Sequence, residues 1–368
     1  MAYVPDPTNV NEPDDTIIAE TAAAEFRALK AYIKAIVAPT LTNPYRRNLI
    51  IGGQFNSNPW QRGTSIGVTS HQSLYTADCW LSTGNIASGI LTISQALDAP
   101  TSIQSGRTIF NSLKAAVTTP AVPVNNHYGI TYAIEGYDFA AFYPNPVTLS
   151  FWHKHSIPGN YYISFRDSTS TQTYVGKYTQ VGAGTWEFAT ISVLVFPSAG
   201  NWVFNNGLGL NITFTIAAQG TYTTPNGIWT AGEFYSDVDQ INVLGTNGAS
   251  FQIADPQLEL GSQFTNFQPY SEADTVNFCL RRFEVGTGLY SGSVTNTDSY
   301  TVLNSFKVPK RTTNPAIVGT DGGISNGFAA VVGTIATGST SFFTETRVSN
   351  GTQAAGAFST NWTASSDF

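Results

Sequence analysis

The stretch Asn211-Ile212-Thr213-Phe214-Thr215-Ile216 decides the fold class of this 368-residue chain. Apolar and polar residues alternate along it, so Ile212, Phe214 and Ile216 share one face of an extended strand. A period of two is typical of a strand that has one face in a core and the other face in polar surroundings. We therefore predict a strand of an antiparallel sheet at these residues.

The same alternation recurs along most of the chain. Further strands are predicted at 147–152, at 161–165 and in the almost continuous apolar run 191–196. Turn-forming clusters such as Pro158-Gly159-Asn160 separate these runs. No helical period recurs after Asn48, and nothing repeats at the fixed interval of a propeller or a β-helix. The pattern predicts a mostly β chain whose strands form a jelly-roll-like antiparallel β-sandwich.

Changes of pattern divide the chain into three units. Residues 1–45 hold a proline-rich arm, which disfavours helix, and then one helical segment. Residues 46–272 carry most of the period-two strands, and residues 273–368 add a smaller set. We predict an N-terminal arm with a helix, a sandwich domain and a smaller C-terminal β-domain.

The predicted N-terminal helix has an apolar seam instead of a broad apolar face. Its members are spaced by four, three, four and three residues, as at the a and d positions of a coiled coil; they are Ala22, Phe26, Leu29, Ile33 and Ile36. The seam covers about two heptads, fewer than a secure coiled coil needs. Packing against a neighbouring protein or domain is therefore an alternative. We favour self-association, because so short a helix is marginal alone in water.

Composition excludes several classes of protein. A disordered chain is rich in charged residues and poor in aromatic ones, whereas here charged residues make up 11% and aromatic residues 13%. A net charge of −7 without any run of Lys or Arg argues against binding nucleic acid. No segment approaches the ~18 apolar residues of a membrane span, and the acidic N-terminus predicts no secretory signal. The neutral polar surface suits hydroxyl-rich ligands or long contacts between subunits.

Two cysteines, Cys79 and Cys279, lie far apart in the sequence and lack the spacing of a metal or redox motif. We expect two buried small hydrophobic residues in a protein made in a reducing cytoplasm. A disulfide between them is the alternative. Earlier in the chain, Arg62 and Asp78 are predicted to form a partly buried ion pair that sets geometry more than stability.

One candidate metal site is the pair His153 and His155. Two residues apart, they point to the same side of a strand, and three such pairs around a trimer axis would suit a transition metal. The turn at Pro158-Gly159 follows at once, however, so we favour a histidine pair at a strand end near solvent. We assign no metal or other cofactor to it.

A second candidate is acidic. Asp237 and Asp239 share one face of a predicted strand, with Glu233 nearby. Such oxygens would suit Ca²⁺, or the two carboxylates of a glycosidase, although a polar strand edge explains them as well. No calcium-loop sequence and no hydrolase motif accompanies them, so we predict no catalytic residue.

Aromatic side chains are better candidates for binding, because the faces of sugar rings stack on them while Asn and Gln bind hydroxyl groups. Most buried aromatic residues belong to the core, so exposure decides between the two roles. The sequence does not choose within a pool that consists of Trp152, Tyr162, Trp202, Trp229 and Tyr235.

Two groups of short motifs open and close the predicted sandwich domain. The opening group is Asn48–Phe55 (NLIIGGQF), Trp60–Ser65 (WQRGTS) and Tyr75–Trp80 (YTADCW). The closing group is Gln257–Gly261 (QLELG) and Cys279–Phe283 (CLRRF). On these residues the chain resembles the β-rich receptor-binding domains of bacteriophage tail-fibre and other virion appendage proteins. Its helix also resembles the N-terminal arms of podovirus appendages on the sequence AAAEFRA that begins at Ala22.

This resemblance implies a homotrimeric tail-fibre or appendage protein in the virion, assembled in the cytoplasm of the bacterial host. Its N-terminal arm would contact other structural proteins of the particle, and its β-domains would recognise the host surface, with a surface glycan as the expected ligand. It would bind without catalysing a reaction. The alternatives are a purely structural capsid (head) fibre or tail-fibre adaptor, and a depolymerase of surface polysaccharide.

Overall fold

A computed structural model describes most of the chain: residues 22–28, 30, 48–69, 72–324, 327–328, 333–336 and 339–368. Within these ranges the protein is built mainly from antiparallel strands arranged in four sheets, two of which face each other as a sandwich. The predicted fold class, mostly β with an antiparallel sandwich, is confirmed. No helix in the described ranges is long and apolar enough to span a membrane.

The first sheet of the sandwich has six strands, and all neighbours in it are antiparallel. In spatial order they are β1 (Ser65–Thr69), β4 (Ile90–Ala96), β5 (Ser112–Thr119), β13 (Ser250–Leu260), β7 (Val147–His155) and β10 (Glu187–Val193).

The second sheet of the sandwich has seven strands and is also antiparallel throughout. In spatial order they are β12 (Trp229–Ala231), β9 (Gln172–Gln180), β8 (Gly159–Arg166), β11 (Leu208–Ala218), β6 (His127–Glu135), β3 (Trp80–Gly84) and β2 (Leu74–Tyr75). Most strands that are neighbours in this sheet do not follow one another in the sequence, so the chain crosses between the two sheets repeatedly.

The inward faces of the two sheets form one apolar core, and β11 shows how the sequence specifies it. Ile212, Phe214 and Ile216 are all fully buried, as the alternation predicted. The ring of Phe214 packs edge-on against Phe151 of the opposite sheet at 5.3 Å between centroids. Burying a large apolar side chain stabilises a fold by about 1.5–3 kcal/mol, so these contacts hold the sheets together.

The outward face of β11 is buried as well, for a different reason. Thr213 accepts a hydrogen bond from Arg166 at 2.9 Å, and Thr215 donates one to the carbonyl of Tyr235 at 2.7 Å. Tyr235 and Gln240, in the segment that follows β12, lie against this part of the sheet, and the Gln240 side chain also donates to the carbonyl of Thr215. The threonines therefore face polar protein groups and not water, and a buried polar group requires such partners.

The described helices are few. Beside the helical residues 22–28, three α-helices are described, and the longest, Glu272–Arg282, is named here the linking helix; the others are Ser102–Ser105 and Gly136–Ala140. Two single 3₁₀ turns lie at Gly220–Tyr222 and Val243–Gly245. The linking helix is capped at its N-terminus by Ser271, whose hydroxyl accepts from the amide of Asp274 at 3.1 Å. Arginines in its last turn complement the negative end of the helix dipole.

After the linking helix, two three-stranded antiparallel sheets follow. The first consists of β14 (Phe283–Val294), β19 (Gln353–Ser365) and β16 (Ala316–Ile324), and the second of β15 (Ser299–Ser305), β18 (Phe342–Val348) and β17 (Thr334–Ala336). A small separate core of Phe306, Phe343 and Trp362 lies between them.

Polar contacts join this last part of the chain to the sandwich. The Arg281 guanidinium forms two bonds to the Glu135 carboxylate, at 2.5 and 3.0 Å. Arg62 pairs with Asp78 at 3.2 Å, which confirms the predicted ion pair, and it also bonds to Asp367. The boundaries at residues 45 and 272 stay a prediction.

Candidate functional site

The outward face of the six-stranded sheet carries a row of aromatic rings. Along β7 the side chains of Phe151 and His153 point into the core, so Trp152 and Lys154 point outward. On the neighbouring strand β10, Phe188 lies directly opposite Trp152, and their ring centroids are 5.3 Å apart. The ring of Phe264 meets Phe188 edge-on at 5.2 Å and continues the row.

These rings are accessible. Phe188 is 41% exposed and Phe264 is 51% exposed, while Trp152 is half-buried beneath them. Exposed aromatic rings in contact with one another present a firm apolar surface, because each ring restricts the rotamers of the next. The row therefore has the character of a binding surface and not of a core.

A polar group borders the aromatic row. The Asp98 carboxylate, from the loop after β4, accepts hydrogen bonds from Lys154 at 2.7 Å, from the indole of Trp186 at 3.0 Å and from Gln252 at 3.1 Å. Partial burial alone would raise the pKa of Asp98, but the bonds from Lys154, Trp186 and Gln252 outweigh it and lower the pKa. Asp98 is therefore a carboxylate at neutral pH, and its side chain is 45% exposed.

We name this surface the Trp152 face and define it by Trp152, Phe188, Phe264, Lys154, Trp186 and Asp98. Four separate segments of the chain meet there. An apolar ring row next to a fixed carboxylate and ammonium can stack on the apolar face of a ring-shaped ligand and bind its hydroxyl groups.

The structure separates the five aromatic candidates of the sequence. Trp152 alone of them belongs to the Trp152 face. Tyr162 is buried, and its hydroxyl donates to Asp239. Tyr235 is buried as well and stacks on His127 at 3.6 Å. Neither tyrosine can serve as a stacking platform.

The remaining two candidates lie in another cluster, at the opposite sheet. Trp202 and Trp229 are half-buried and meet edge-on at 5.6 Å, and Trp202 also packs on Phe139. Their indole N–H groups donate to carbonyls of the loop after β10, at Pro197 and Val195. Because these groups hold the loop, the two tryptophans are structural.

The acidic candidates do not share a strand face, so that expectation is wrong. Residues 232–240 contain no strand beyond a single bridge at Ser236. Each carboxylate has its own partner: Asp239 pairs with Lys177 at 3.0 Å, Asp237 with Asn226 at 2.8 Å and Glu233 with Arg166 at 3.2 Å. In the described ranges, no group of three His, Cys, Asp or Glu residues could hold a metal ion.

The histidine pair is also not near solvent, which corrects the sequence expectation. His153 and His155 are both buried, because they continue the inward parity of β7 beneath the opposite sheet. His155 stacks on Tyr161 at 3.5 Å. Burial lowers the pKa of His153 to about 4 and that of His155 well below its usual value, so both rings are neutral. They are packed core residues.

The seam of the N-terminal helix is only partly described. Residues 22–28 are helical, as predicted, and Phe26 is 72% exposed. Leu29, Ile33 and Ile36 lie outside the described residues. The seam stays a prediction.

Sequence reasoning missed Phe188, Phe264, Trp186 and Asp98. No spacing connects them, because the sheet order brings them together from positions far apart in the chain. One signal was available in β7: the core residues Phe151 and His153 fix the parity that turns Trp152 and Lys154 outward.

No protein-family model matches this chain, and no curated protein sequence matches it. Among solved structures, it is similar to the enzymatically active domain of tailspike protein 4 of bacteriophage CBA120, at 13% identity and a TM-score of 0.33. That match covers 58% of this chain and 21% of the tailspike chain, so it spans about a fifth of the tailspike domain.

Two carbohydrate-binding modules are similar at a comparable level. TmCBM61, in complex with β-1,4-galactotriose, has 10% identity and a TM-score of 0.30, and the match covers 58% of this chain and 99% of the module. The family 11 module of Clostridium thermocellum, in complex with a β-1,3-1,4-mixed-linked tetrasaccharide, has 11% identity and a TM-score of 0.27; coverage is 55% and 98%.

Proposed function

We propose that this protein binds a glycan of the bacterial surface through the Trp152 face, as the receptor-binding part of a bacteriophage tail fibre or related virion appendage. The observation that carries the proposal is the exposed row of Trp152, Phe188 and Phe264 beside the Asp98 carboxylate. A saccharide ring has an apolar C–H face and a rim of hydroxyl groups. The aromatic row can stack on the C–H face, and the polar border can bind the hydroxyl groups.

The ionic character of this binding is small. Lys154 and Asp98 neutralise each other, so the face offers no net charge to a ligand. Stacking and neutral hydrogen bonds change little with ionic strength, whereas attraction between exposed charges is screened beyond about 10 Å at roughly 0.1 M salt. Binding that persists across a salt series is therefore expected.

The assembly around this site is part of the same proposal. The protein forms a homotrimer through the seam of the N-terminal helix, and its arm contacts other structural proteins of the virion after assembly in the host cytoplasm. A single weak site is enough in such a particle, since many linked copies bind together. Binding occurs without turnover of the glycan.

The test of the binding site is Phe188→Ala in the full chain, measured on an array of immobilised bacterial surface polysaccharides. Loss of one stacked ring removes about 0.5–1.5 kcal/mol, so affinity should fall about two- to tenfold. Phe204→Ala is the matched control, because Phe204 is 43% exposed and lies in the other aromatic cluster. Equal loss in both variants contradicts the site.

The same array also distinguishes the alternatives. No binding by the unmodified protein would favour a structural fibre, and steady release of reducing sugar would favour a depolymerase. The trimer has its own test, which is light scattering of the full chain beside Phe26→Asp with Ile33→Asp. A monomeric unmodified chain contradicts the trimer, while a trimeric double variant shows that the seam does not form it.

A further inference from the structure

Two thiols that are 200 residues apart in the sequence touch in the core. Cys79 lies just before β3, and Cys279 lies in the last turn of the linking helix. Both side chains are buried, and their Sγ atoms are 3.8 Å apart in a thiol–thiol hydrogen bond. The expectation of buried thiols is confirmed, and the contact is the one that the alternative, a disulfide, requires.

The backbone at Cys79 is unusual. Its φ of 73° lies in the left-handed region, which a residue with a Cβ atom seldom adopts. Such conformations persist where the surroundings hold them, and they concentrate at functional positions. Here the conformation directs the Cys79 side chain toward the linking helix.

A buried guanidinium accompanies the thiols. Arg282 follows Cys279 by three residues, on the same side of the linking helix, and is 5% exposed. One of its terminal nitrogens donates to the carbonyl of Ala133 at 2.9 Å, while the other has no hydrogen-bond partner in the described ranges.

No carboxylate in the part of the chain that the structure describes forms an ion pair with Arg282; Asp78 and Asp367 are both bonded to Arg62 instead. An unpaired buried cation is costly, so a nearby anion is favoured. The hydrogen bond between the two thiols lowers the pKa of Cys79 against the opposing effect of burial, and the charge of Arg282 lowers it further. Cys279 behaves in the opposite way: its bond to Cys79 and its burial raise its pKa.

We propose that Cys79 and Cys279 are an oxidation site, a dithiol that closes to a disulfide between the sandwich and the linking helix. We assign Cys79 as the sulfur that reacts first, because its left-handed backbone directs it at the linking helix, which carries both Cys279 and Arg282. Cys279 is the resolving thiol, which holds its proton until the second step. Sulfur atoms in a disulfide are about 2.05 Å apart, so a small movement of the two side chains closes the bond.

Hydrogen peroxide is the oxidant, and it accepts two electrons. The Cys79 thiolate attacks one peroxide oxygen, forming a sulfenic acid and releasing hydroxide, which takes up a proton. The Cys279 sulfur then attacks the sulfenic sulfur; the S–S bond forms, the S–O bond breaks, and the Cys279 proton leaves with the hydroxyl group as water. Two thiols are oxidised and one peroxide is reduced to two waters.

The test begins with the reduced, folded full chain and a measured dose of hydrogen peroxide. Thiols are counted after denaturation, and peptides are mapped under non-reducing conditions. The expected result is the loss of both thiols in step and a cross-linked peptide pair that contains Cys79 and Cys279, with a urea midpoint above that of the reduced protein. Two intact thiols in the folded chain, or cross-links only between chains, would overturn the proposal.

Single variants test the two roles. After peroxide, Cys279→Ser should accumulate a sulfenic acid at Cys79 that dimedone traps, whereas Cys79→Ser should be labelled several-fold more slowly. Equal labelling of both variants would contradict the assignment of Cys79 as the first to react. If either variant does not fold, as judged by circular dichroism, the peptide map of the unmodified chain still decides whether the disulfide forms.

Discussion

A buried ion pair in the C-terminal part of the chain gives the sharpest stability prediction. The side chains of Lys310 and Glu284 are 0% and 1% exposed, and the ammonium also donates to the carbonyl of Leu280 at the end of the linking helix. Lys310→Met keeps most of the side-chain volume but removes the charge. Glu284 is then left with the backbone N–H of Lys307, at 3.1 Å.

The expected loss of stability depends on whether Glu284 stays charged or becomes protonated once Lys310 is replaced. Removing one partner of a buried pair costs about 3–5 kcal/mol when the other charge stays. A glutamate can instead take up a proton, which at pH 7 costs about 3.7 kcal/mol relative to glutamate in water. We therefore expect Lys310→Met to lower the free energy of unfolding by about 3–4 kcal/mol at pH 7.

Acid should reduce this loss, because protonation becomes easier. At pH 5 the same proton uptake costs only about 1 kcal/mol, so the difference between the variant and the parent protein should shrink by more than half. Urea unfolding followed by circular dichroism at both pH values measures it. The double variant Lys310→Met with Glu284→Gln should recover most of the loss at pH 7. A loss below about 1 kcal/mol, or one independent of pH, would refute the reasoning.

Two further predictions concern the sandwich. Burial and the charge of Arg166 lower the pKa of His127 to about 3, so the unfolded chain takes up that proton first as the pH falls. Above about pH 6.5 this histidine does not make the free energy of unfolding depend on pH; below it that free energy declines toward pH 3, by roughly 2 kcal/mol at pH 5. The variant His127→Phe, which keeps a stacked ring, should flatten this part of the curve of stability against pH. Gly129→Ala should cost about 1–3 kcal/mol in urea unfolding, because its Cβ would lie 2.8 Å from the carbonyl oxygen of Phe214. Gly67→Ala, which meets nothing within 4 Å, is the control and should change little.

The fold was predictable where apolar and polar residues alternate along a single strand. The residues 211–216 specify both the strand and its inward face, since alternation alone determines which side chains meet the core. The run 191–196 misled in part: β10 ends at Val193, Leu194 and Val195 are exposed, and Phe196 returns to the core. A continuous apolar run contains no period, so it does not mark where a strand ends.

The candidate site was predictable only at Trp152. The other members come from loops and strands that the sheet order brings together, and no local pattern encodes that order. At His153 and His155 the sequence showed the direction of the side chains but not what surrounds them. Their inward parity was visible in the sequence, but the tyrosines of the opposite sheet that cover His155 were not.

The way the sandwich closes has a consequence for how the protein is made. The side chain of Asn48 bonds to the backbone of Pro256 and Leu258, which are 208 and 210 positions away. Gln61 reaches Phe283 over 222 positions. At synthesis rates of ~5–20 residues per second, the opening segment waits roughly 10–40 seconds for these partners to leave the ribosome. During that wait its apolar side chains and strand edges are uncovered, so the yield of folded protein should depend on chaperones and fall as the growth temperature rises.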